Sequence, residues 1–230
     1  MIDFSILFED GEALVIDKPA GLPLDTPRAG GPSLEDHLDA LRFGFARQPF
    51  PVHRLDRDTS GCLLLARNPK ALKRFSAAFE AREVTKVYLG VVAGEVAGES
   101  GTIDLALTKI SSAEKGWRMI PARKGKPAIT HWQVIARKDA MTLVEFRPET
   151  GRTHQIRIHA LAGLGHALLG DPIYGELVPG DETARSTARR TMLHASALTV
   201  PRAGKAAIIA QAPVPLDFDA LGFALAGAEG

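Results

Sequence analysis

Nine short apolar segments follow one another along the chain, most with gaps too small for a crossover helix, and this spacing limits the fold more than any other feature. FSILFE and EALVID flank the turn Asp10-Gly11; GCLLLAR, VTKVYLGVVAG, GTIDLAL, AITHWQVIA, MTLVEFRP, MLHASALTV and AAIIAQA follow. Parallel neighbours need a connection of about a dozen residues or more, so short connections favour antiparallel pairing. An antiparallel-rich α+β sheet is expected rather than a βαβ ladder.

The remaining segments carry helix and loop signals. SLEDHLDALRFGFA has Ser33 and Asp36 as a capping pair and Leu34, Leu38, Leu41 and Phe45 at helical spacing, which predicts an amphipathic helix. Asn68 and Pro69 start a second helix, PKALKRFSAAFEARE, with Leu72, Phe75 and Phe79 inward and Lys70, Lys73 and Arg74 outward. GCLLLAR is too short for a helix and reads as a buried strand. In VTKVYLGVVAG the alternation puts Val87, Leu89 and Val91 on one face and Lys86, Tyr88 and Gly90 on the other. In TGRTHQIRIHALAGLGH, Thr153 is expected to cap a helix ending near Gly163, with exposed first-turn amides beside Arg152 forming a phosphate-binding end; Gly-Arg-Thr also reads as a plain turn, and the alternation of Ile156 and Ile158 as a strand. Residues 108–127 read as a loop between strands. The stretch GDETARSTARRT reads as a surface loop, and the whole chain, 1–230, as one domain.

Composition narrows the function classes. A single cysteine, Cys62, excludes an intramolecular disulfide and a cysteine-built zinc site, and suits a reducing compartment. No run of 18 apolar residues and no basic-then-apolar leader is present, so no membrane partner and a cytoplasmic location are expected. The net charge of +1 hides an uneven distribution: residues 1–40 hold nine acids against Lys18 and Arg28, while Lys109 to Lys126 holds six basic residues against Glu114 alone. A local basic surface follows, readable as a nucleic-acid contact or as an ordinary solvated loop. Trp117 within it can stack on RNA or pack.

The stretch HRLDRDTSG, residues 53–61, holds Asp56 between Arg54 and Arg57. Taken alone, it is a surface ion pair contributing under about 1 kcal/mol, or a carboxylate kept ionised for chemistry by adjacent cations. Asp58 reads as a turn acid beside Thr59, Ser60 and Gly61. His53, His154 and His159 lack matched Asp or Cys partners and read as hydrogen-bonding residues, so no metal is expected. Cys62 reads as inert core.

Taken together, HRLDRDTSG, KVY at 86–88 and TGRTHQIRIH at 150–159 resemble the RluA-type family of RNA pseudouridine synthases, a likeness running from DKPAGL at 17–22 through GHALLGDPIYG at 165–175 to MLHASAL at 192–198. The resemblance implies a single catalytic domain with a mixed, mostly antiparallel sheet flanked by helices, a central RNA-binding cleft, and isomerisation of uridine to its C-glycoside. Ala167 stands where the family often has proline. Some sixteen residues precede DKPAGL, too few for an N-terminal S4-type domain, so the short form is expected. By motif match, Asp56 is the nucleophile or base, Arg157 its charge partner, Tyr88 the ring over the target base, and Arg54 the arginine that enters the stack when the nucleotide flips out. Arg57, Arg152, Lys86, Lys124 and Lys126 are the other cations expected to meet RNA. Isomerisation needs no redox cofactor, and no GxGxxG or GxxxxGK[ST] motif is present, so none is expected. The expected partner is an rRNA or tRNA stem-loop, bound by a monomer. A uracil-releasing RNA glycosylase and a non-catalytic RNA-binding or chaperone protein of the same fold are the competing readings.

Overall fold

The computed structural model describes residues 3–112, 116–175 and 188–223. The chain divides into two compact units, one of residues 1–86 and 194–213, the other of 87–193 and 214–230. The architecture is mixed α+β, with mostly antiparallel sheet flanked by helices.

The first unit begins with β1 (Ile6–Glu9) and β2 (Ala13–Lys18), turned by Asp10, whose Oδ1 accepts the amides of Glu12 and Ala13, both at 2.8 Å. After β3 (Phe50–Pro51) comes β4 (Ser60–Ala66), buried at every position as its unbroken apolar run predicts. β2 lies antiparallel along one edge of β4, and β3 meets the other edge at Leu65 and Ala66. Helix α1 (Pro69–Glu80) starts as the sequence requires: Asn68 Oδ1 accepts the Ala71 amide at 2.9 Å and Pro69 occupies the first turn. Phe75 and Ala78 of α1 bury against Val15, Leu64 and Leu198. Cys62 lies in the same cluster, and burial, with Asp17 nearby, pushes its thiol up to about 12, which makes it inert.

The amphipathic helix expected over residues 33–46 does not form. Two short 3-10 turns, Leu34–His37 and Ala40–Arg42, stand there instead. The Ser33/Asp36 capping box is present, but the Leu34 and Glu35 amides bond back to the Pro23 and Leu24 carbonyls, and i→i+3 bonds run on through Leu38 and Leu41. Leu34, Leu38 and Leu41 are buried this way without a continuous helix, and Phe43 in the left-handed region (φ 45°) ends the segment. A segment this short draws its conformation from tertiary contacts rather than from propensity.

The second unit holds a four-strand array, β5 (Thr85–Val92), β10 (Met141–Pro148), β9 (Ile129–Lys138) and β6 (Ser100–Asp104), each antiparallel to the next; Thr85 and Lys86 of β5 fall in the first unit. The alternation read in β5 holds: Leu89 and Val91 join one apolar cluster, with Leu143 and Phe218, while Tyr88 and Val92 join another, with Phe146 and Leu168. Residues 108–127, expected as a loop, contain most of a hairpin, β7 (Leu107–Ser112) with β8 (Gly116–Pro121). Its apolar residues fall at Leu107 and Ile110 in β7 and at Trp117, Met119 and Ile120 in β8, without a sustained alternation, so apolar periodicity gave no strand signal. Helix α2 (Gln155–Leu164) follows β10, and α3 (Leu216–Ala220) closes the described chain. Most of the Thr- and Arg-rich stretch 180–191 lies outside the described residues.

Back in the first unit, which β11 (Leu193–Val200) enters from His194 on, β11 pairs parallel with β4 through His194 and Ala195, and β12 (Ile208–Gln211) pairs antiparallel with β11. Ser60 Oγ and His194 Nδ1 share a buried 2.9 Å hydrogen bond at this junction. Gly61 makes the parallel approach possible: its φ is +106°, and a Cβ there would lie 2.2 Å from the Ala195 carbonyl oxygen. Gly61→Ala combines backbone strain with a clash against main chain, and should lower unfolding stability by about 3 kcal/mol or more in urea denaturation. A loss under about 1 kcal/mol would show that the β4–β11 junction yields readily.

Candidate active site

The loop carrying Asp56 is built into the first unit by main-chain bonds. Leu55 is buried, with Arg54 and Arg57 exposed and Asp56 half-buried. Thr59 N–H donates to the Asp56 carbonyl at 3.1 Å, closing the turn that also holds Asp58, whose carboxylate is 3.7 Å from Arg57 Nε. The Arg57 carbonyl accepts the Gly21 amide at 2.9 Å and the Lys18 ammonium at 3.1 Å, and Arg57 Nε donates to the Gly21 carbonyl at 3.3 Å. Lys18 is wholly buried and also donates to the carbonyls of Pro19 (2.7 Å) and Leu22 (2.8 Å). An ammonium out of water needs such oxygens, and here they lock the DKPAGL loop to the residue beside Asp56. The sequence marked that loop by family likeness alone; a lysine next to an apolar strand was the available signal. Burial raises the Asp17 carboxyl against the opposing Gly61 amide and Lys18 charge.

His53, at the start of the same loop, acts as the hydrogen-bonding residue expected. Its Nε2 accepts the Leu64 amide at 3.0 Å, and its ring stacks on Phe79 with centroids 4.8 Å apart. Burial, with the Lys86 charge second, pushes its pKa down to about 4. Lys86 is itself half-buried, and burial together with Arg82 lowers its ammonium to about 8. It is a desolvated cation of the strand, unlike the exposed Arg54 and Arg57.

The second unit holds Tyr88, Arg157, Arg152, Lys124 and Lys126. Tyr88 is half-buried on β5, opposite Phe146 of β10 and two residues from Gly90, whose missing side chain leaves space for Leu168 and Phe146. Arg157 is buried on α2 and forms a two-point pair with Asp171: Nε to Oδ2 at 2.7 Å and Nη2 to Oδ1 at 2.8 Å. Asp171 is a partner the sequence did not disclose, because fourteen residues and a turn separate the two. Two expectations for this segment fail. His154, in the left-handed region (φ 53°), takes the N-cap position in place of Thr153, and the first turn of α2 is buried rather than exposed. The Gln155 side chain consumes the local polar groups, accepting from the Thr150 hydroxyl and the Arg152 amide and donating to Ile129 and Thr130. No phosphate-binding helix end is formed there.

Arg152 is half-buried and donates to the Pro127 carbonyl at 3.1 Å, whereas Lys124 and Lys126 are exposed. Trp117 has its ring stacked on His154 at 4.9 Å and carries the Lys109 ammonium 4.6 Å from its centroid, yet the residue stays 42% exposed. His159 bonds Thr130 and the Leu105 carbonyl, again as a structural histidine. Ala167 is fully buried, its carbonyl accepting the Ala93 amide at 2.9 Å. A groove of about 320 Å³ lined by Thr102, His131, Trp132, Glu145 and Arg147 includes none of the residues singled out from the sequence. Among the described residues no group of His, Cys, Asp and Glu is arranged to hold a metal ion, and no helix is long and apolar enough to cross a membrane.

Residues 12–162 match the family described as RNA pseudouridylate synthase. The chain is 52% identical to an uncharacterized RNA pseudouridine synthase of Zymomonas mobilis, covering 95% of this chain and 97% of that one. It is 37% identical to the ribosomal large subunit pseudouridine synthase D of Nitrosomonas europaea, covering 96% of this chain but 64% of the relative. Among solved structures, human RNA pseudouridylate synthase domain containing 1 aligns with a TM-score of 0.76 at 30% identity, over 93% of this chain and 84% of that one.

The His53 site sets a pH dependence. The unfolded chain binds a proton on His53 near 6.5 and the folded chain only near 4, so in that window the unfolded state holds more protons. Stability should therefore fall as pH drops from about 6.5 to 4, with a slope approaching one proton, about 1.4 kcal/mol per pH unit. His53→Gln can still accept the Leu64 amide and should lack that slope in urea titrations. Identical slopes for the two proteins would show that His53 is protonated in the folded state.

Proposed function

The chain belongs to the RNA pseudouridylate synthase family and is an isomerase that converts uridine in RNA to pseudouridine, and from that premise we propose that Asp56, Tyr88 and Arg157 carry the reaction on a ribosomal or transfer RNA. The reaction breaks the N1–C1′ bond, turns the uracil and joins C5 to C1′; C5 loses a proton and N1 gains one, with no net electron transfer. Asp56 supplies the carboxylate. Arg157 is the cation assigned as its charge partner. Tyr88 lies against the flipped base, its ring stacking and its hydroxyl accepting the C5 proton.

The observation that carries this reading is the fixing of Arg57 by Gly21 and by the buried Lys18, because it holds the backbone next to Asp56 in one conformation before substrate arrives. A carboxylate that must meet one carbon of a flipped nucleotide gains rate from such preorganisation. A surface ion pair has no use for it. The exposed Arg54 is the residue assigned to occupy the vacated stack, and flipping costs a few kcal/mol that its contacts offset. Exposed Arg57, Lys124 and Lys126 suit phosphate contacts; Arg152 and Lys86 suit them less, being half-buried. The relatives' names include a synthase of the ribosomal large subunit, which makes that RNA the first target to test.

Mapping pseudouridine in total RNA from cells with and without the gene identifies the target. With that RNA tritiated at uridine C5, Asp56→Asn should bind normally and release no tritium; appreciable turnover by Asp56→Asn removes it from the chemistry. Free uracil among the products would instead mark a glycosylase. Tyr88→Phe keeps the stacking ring, so near-normal affinity with release slowed about 100-fold or more is expected. Wild-type release by Tyr88→Phe would leave Tyr88 a packing residue only.

Affinity should fall with salt, with a slope of about −0.7 per neutralised phosphate for single-stranded contacts and about −0.9 on a duplex. Lys124→Ala with Lys126→Ala should flatten that slope by one to two such increments across RNA sequences. An unchanged slope and affinity in a filter-binding titration would make these lysines solvated surface.

A further inference from the structure

Tyr174 is a wholly buried tyrosine that the proposed reaction leaves unused, and its contacts join three separate pieces of the second unit. Its hydroxyl accepts the Met119 amide of β8 at 3.0 Å and shares a 3.0 Å hydrogen bond with His154 Nδ1. Its ring centroid lies 5.1 Å from the Arg157 guanidinium carbon, within cation–π range. Its own amide donates to Asp171 Oδ1 at 3.0 Å, and that oxygen also accepts from Arg157 Nη2. His154 in turn carries Trp117 of the hairpin on its face and stands three residues before Arg157. Two faces of the guanidinium's surroundings are thus set by residues 171–174: the carboxylate fixes it in plane, and the ring bounds it from the side.

We propose that Tyr174 is a positioning residue for Arg157, its ring holding the guanidinium while its hydroxyl fastens that ring to the β7–β8 hairpin. The inference rests on Arg157 serving the reaction as described above. The physical basis is the asymmetry of the tyrosine. A ring at this place needs only apolar contact to fill space, and Leu107, Met119 and Ile158 supply it. The hydroxyl is buried with two polar partners from different segments, so shifting the ring breaks bonds to both, and each buried group left unsatisfied costs about 1 to 3 kcal/mol. Displacement of the hairpin is therefore felt at Arg157 through one rigid side chain. The same basic hairpin leads into Lys124 and Lys126, so RNA engaging those lysines acts on an element bonded to the arginine's support.

The test is a double-mutant cycle in single-turnover tritium release, with enzyme in excess over a mixture of unmodified ribosomal and transfer RNA transcripts tritiated at uridine C5. Tyr174→Leu removes ring support and hydroxyl and should slow release about 100-fold, as a misplacement near 1 Å does. Tyr174→Phe keeps the ring and should slow it less, about 10-fold. RNA affinity should stay at the wild-type value in both. If Tyr174 acts through Arg157, adding either change to Arg157→Lys slows release no further than Arg157→Lys alone. Multiplying losses would overturn the proposal, since a general loss of structure acts independently of Arg157. Thermal melts accompany each protein; should Tyr174→Leu melt below the assay temperature, the Tyr174→Phe cycle decides alone. A wild-type rate for Tyr174→Phe would remove the hydroxyl's part. A wild-type rate for Arg157→Lys would sink the reading of Arg157 itself, and with it the proposal, a result distinct from an impaired Arg157→Lys with multiplying losses.

Discussion

A charge taken out of water has to be met by fixed oxygens, and around the residues proposed for the site that requirement falls on Lys18 and Arg157. Lys18 is wholly buried and spends its donors on three main-chain carbonyls, those of Pro19, Leu22 and Arg57. Arg157 is nearly as buried and is held in plane by both oxygens of Asp171. Removing one member of such an arrangement strands the other, at a cost of about 3 to 5 kcal/mol for a buried ion pair. Each cation therefore fixes the backbone that supplies its oxygens: the DKPAGL and HRLDRDTSG loops in the first unit, the 171–174 turn in the second.

This use of buried charge suits an isomerase. Uridine and pseudouridine contain the same atoms, so the protein has no oxidant, reductant or leaving group to supply. What it contributes is orientation and a placed charge, and both depend on groups that do not move when substrate arrives. The main-chain bonds at Arg57 and the pair at Arg157 are the groups proposed for that part. Arg54, Lys124 and Lys126 are exposed, and they are the cations proposed to meet a phosphate backbone, whose attraction is strong, long-ranged and indifferent to sequence.

The candidate site was legible in the sequence as identities and illegible as partnerships. HRLDRDTSG named Asp56 and its flanking arginines, and alternation in VTKVYLGVVAG put Tyr88 on the face it occupies. Neither Lys18 nor Asp171 nor Tyr174 could be assigned a partner that way, because each meets residues from a different segment. Arg152 and Lys86 were expected to meet RNA and are half-buried. Trp117 offered RNA stacking or packing; it stacks on His154 and stays exposed. Residues 108–127 read as a loop because the apolar residues of the hairpin follow no sustained alternation.

By itself the sequence determined that β4 and β5 are strands, that α1 begins at Asn68 and Pro69, that β4 is apolar throughout and which face of β5 is which, because these follow from local periodicity and from caps a few residues long. Tertiary structure decided the rest. Residues 33–46 carried a sound helical pattern and a real capping box, yet amide bonds to Pro23 and Leu24 broke them into two 3-10 turns. The cap of α2 passed from Thr153 to His154, and the first turn was buried by the Gln155 network. Burial and hydrogen-bond partners are set by segments far apart in the chain; a local pattern records which side of an element is apolar, but not which distant oxygen will meet a buried charge.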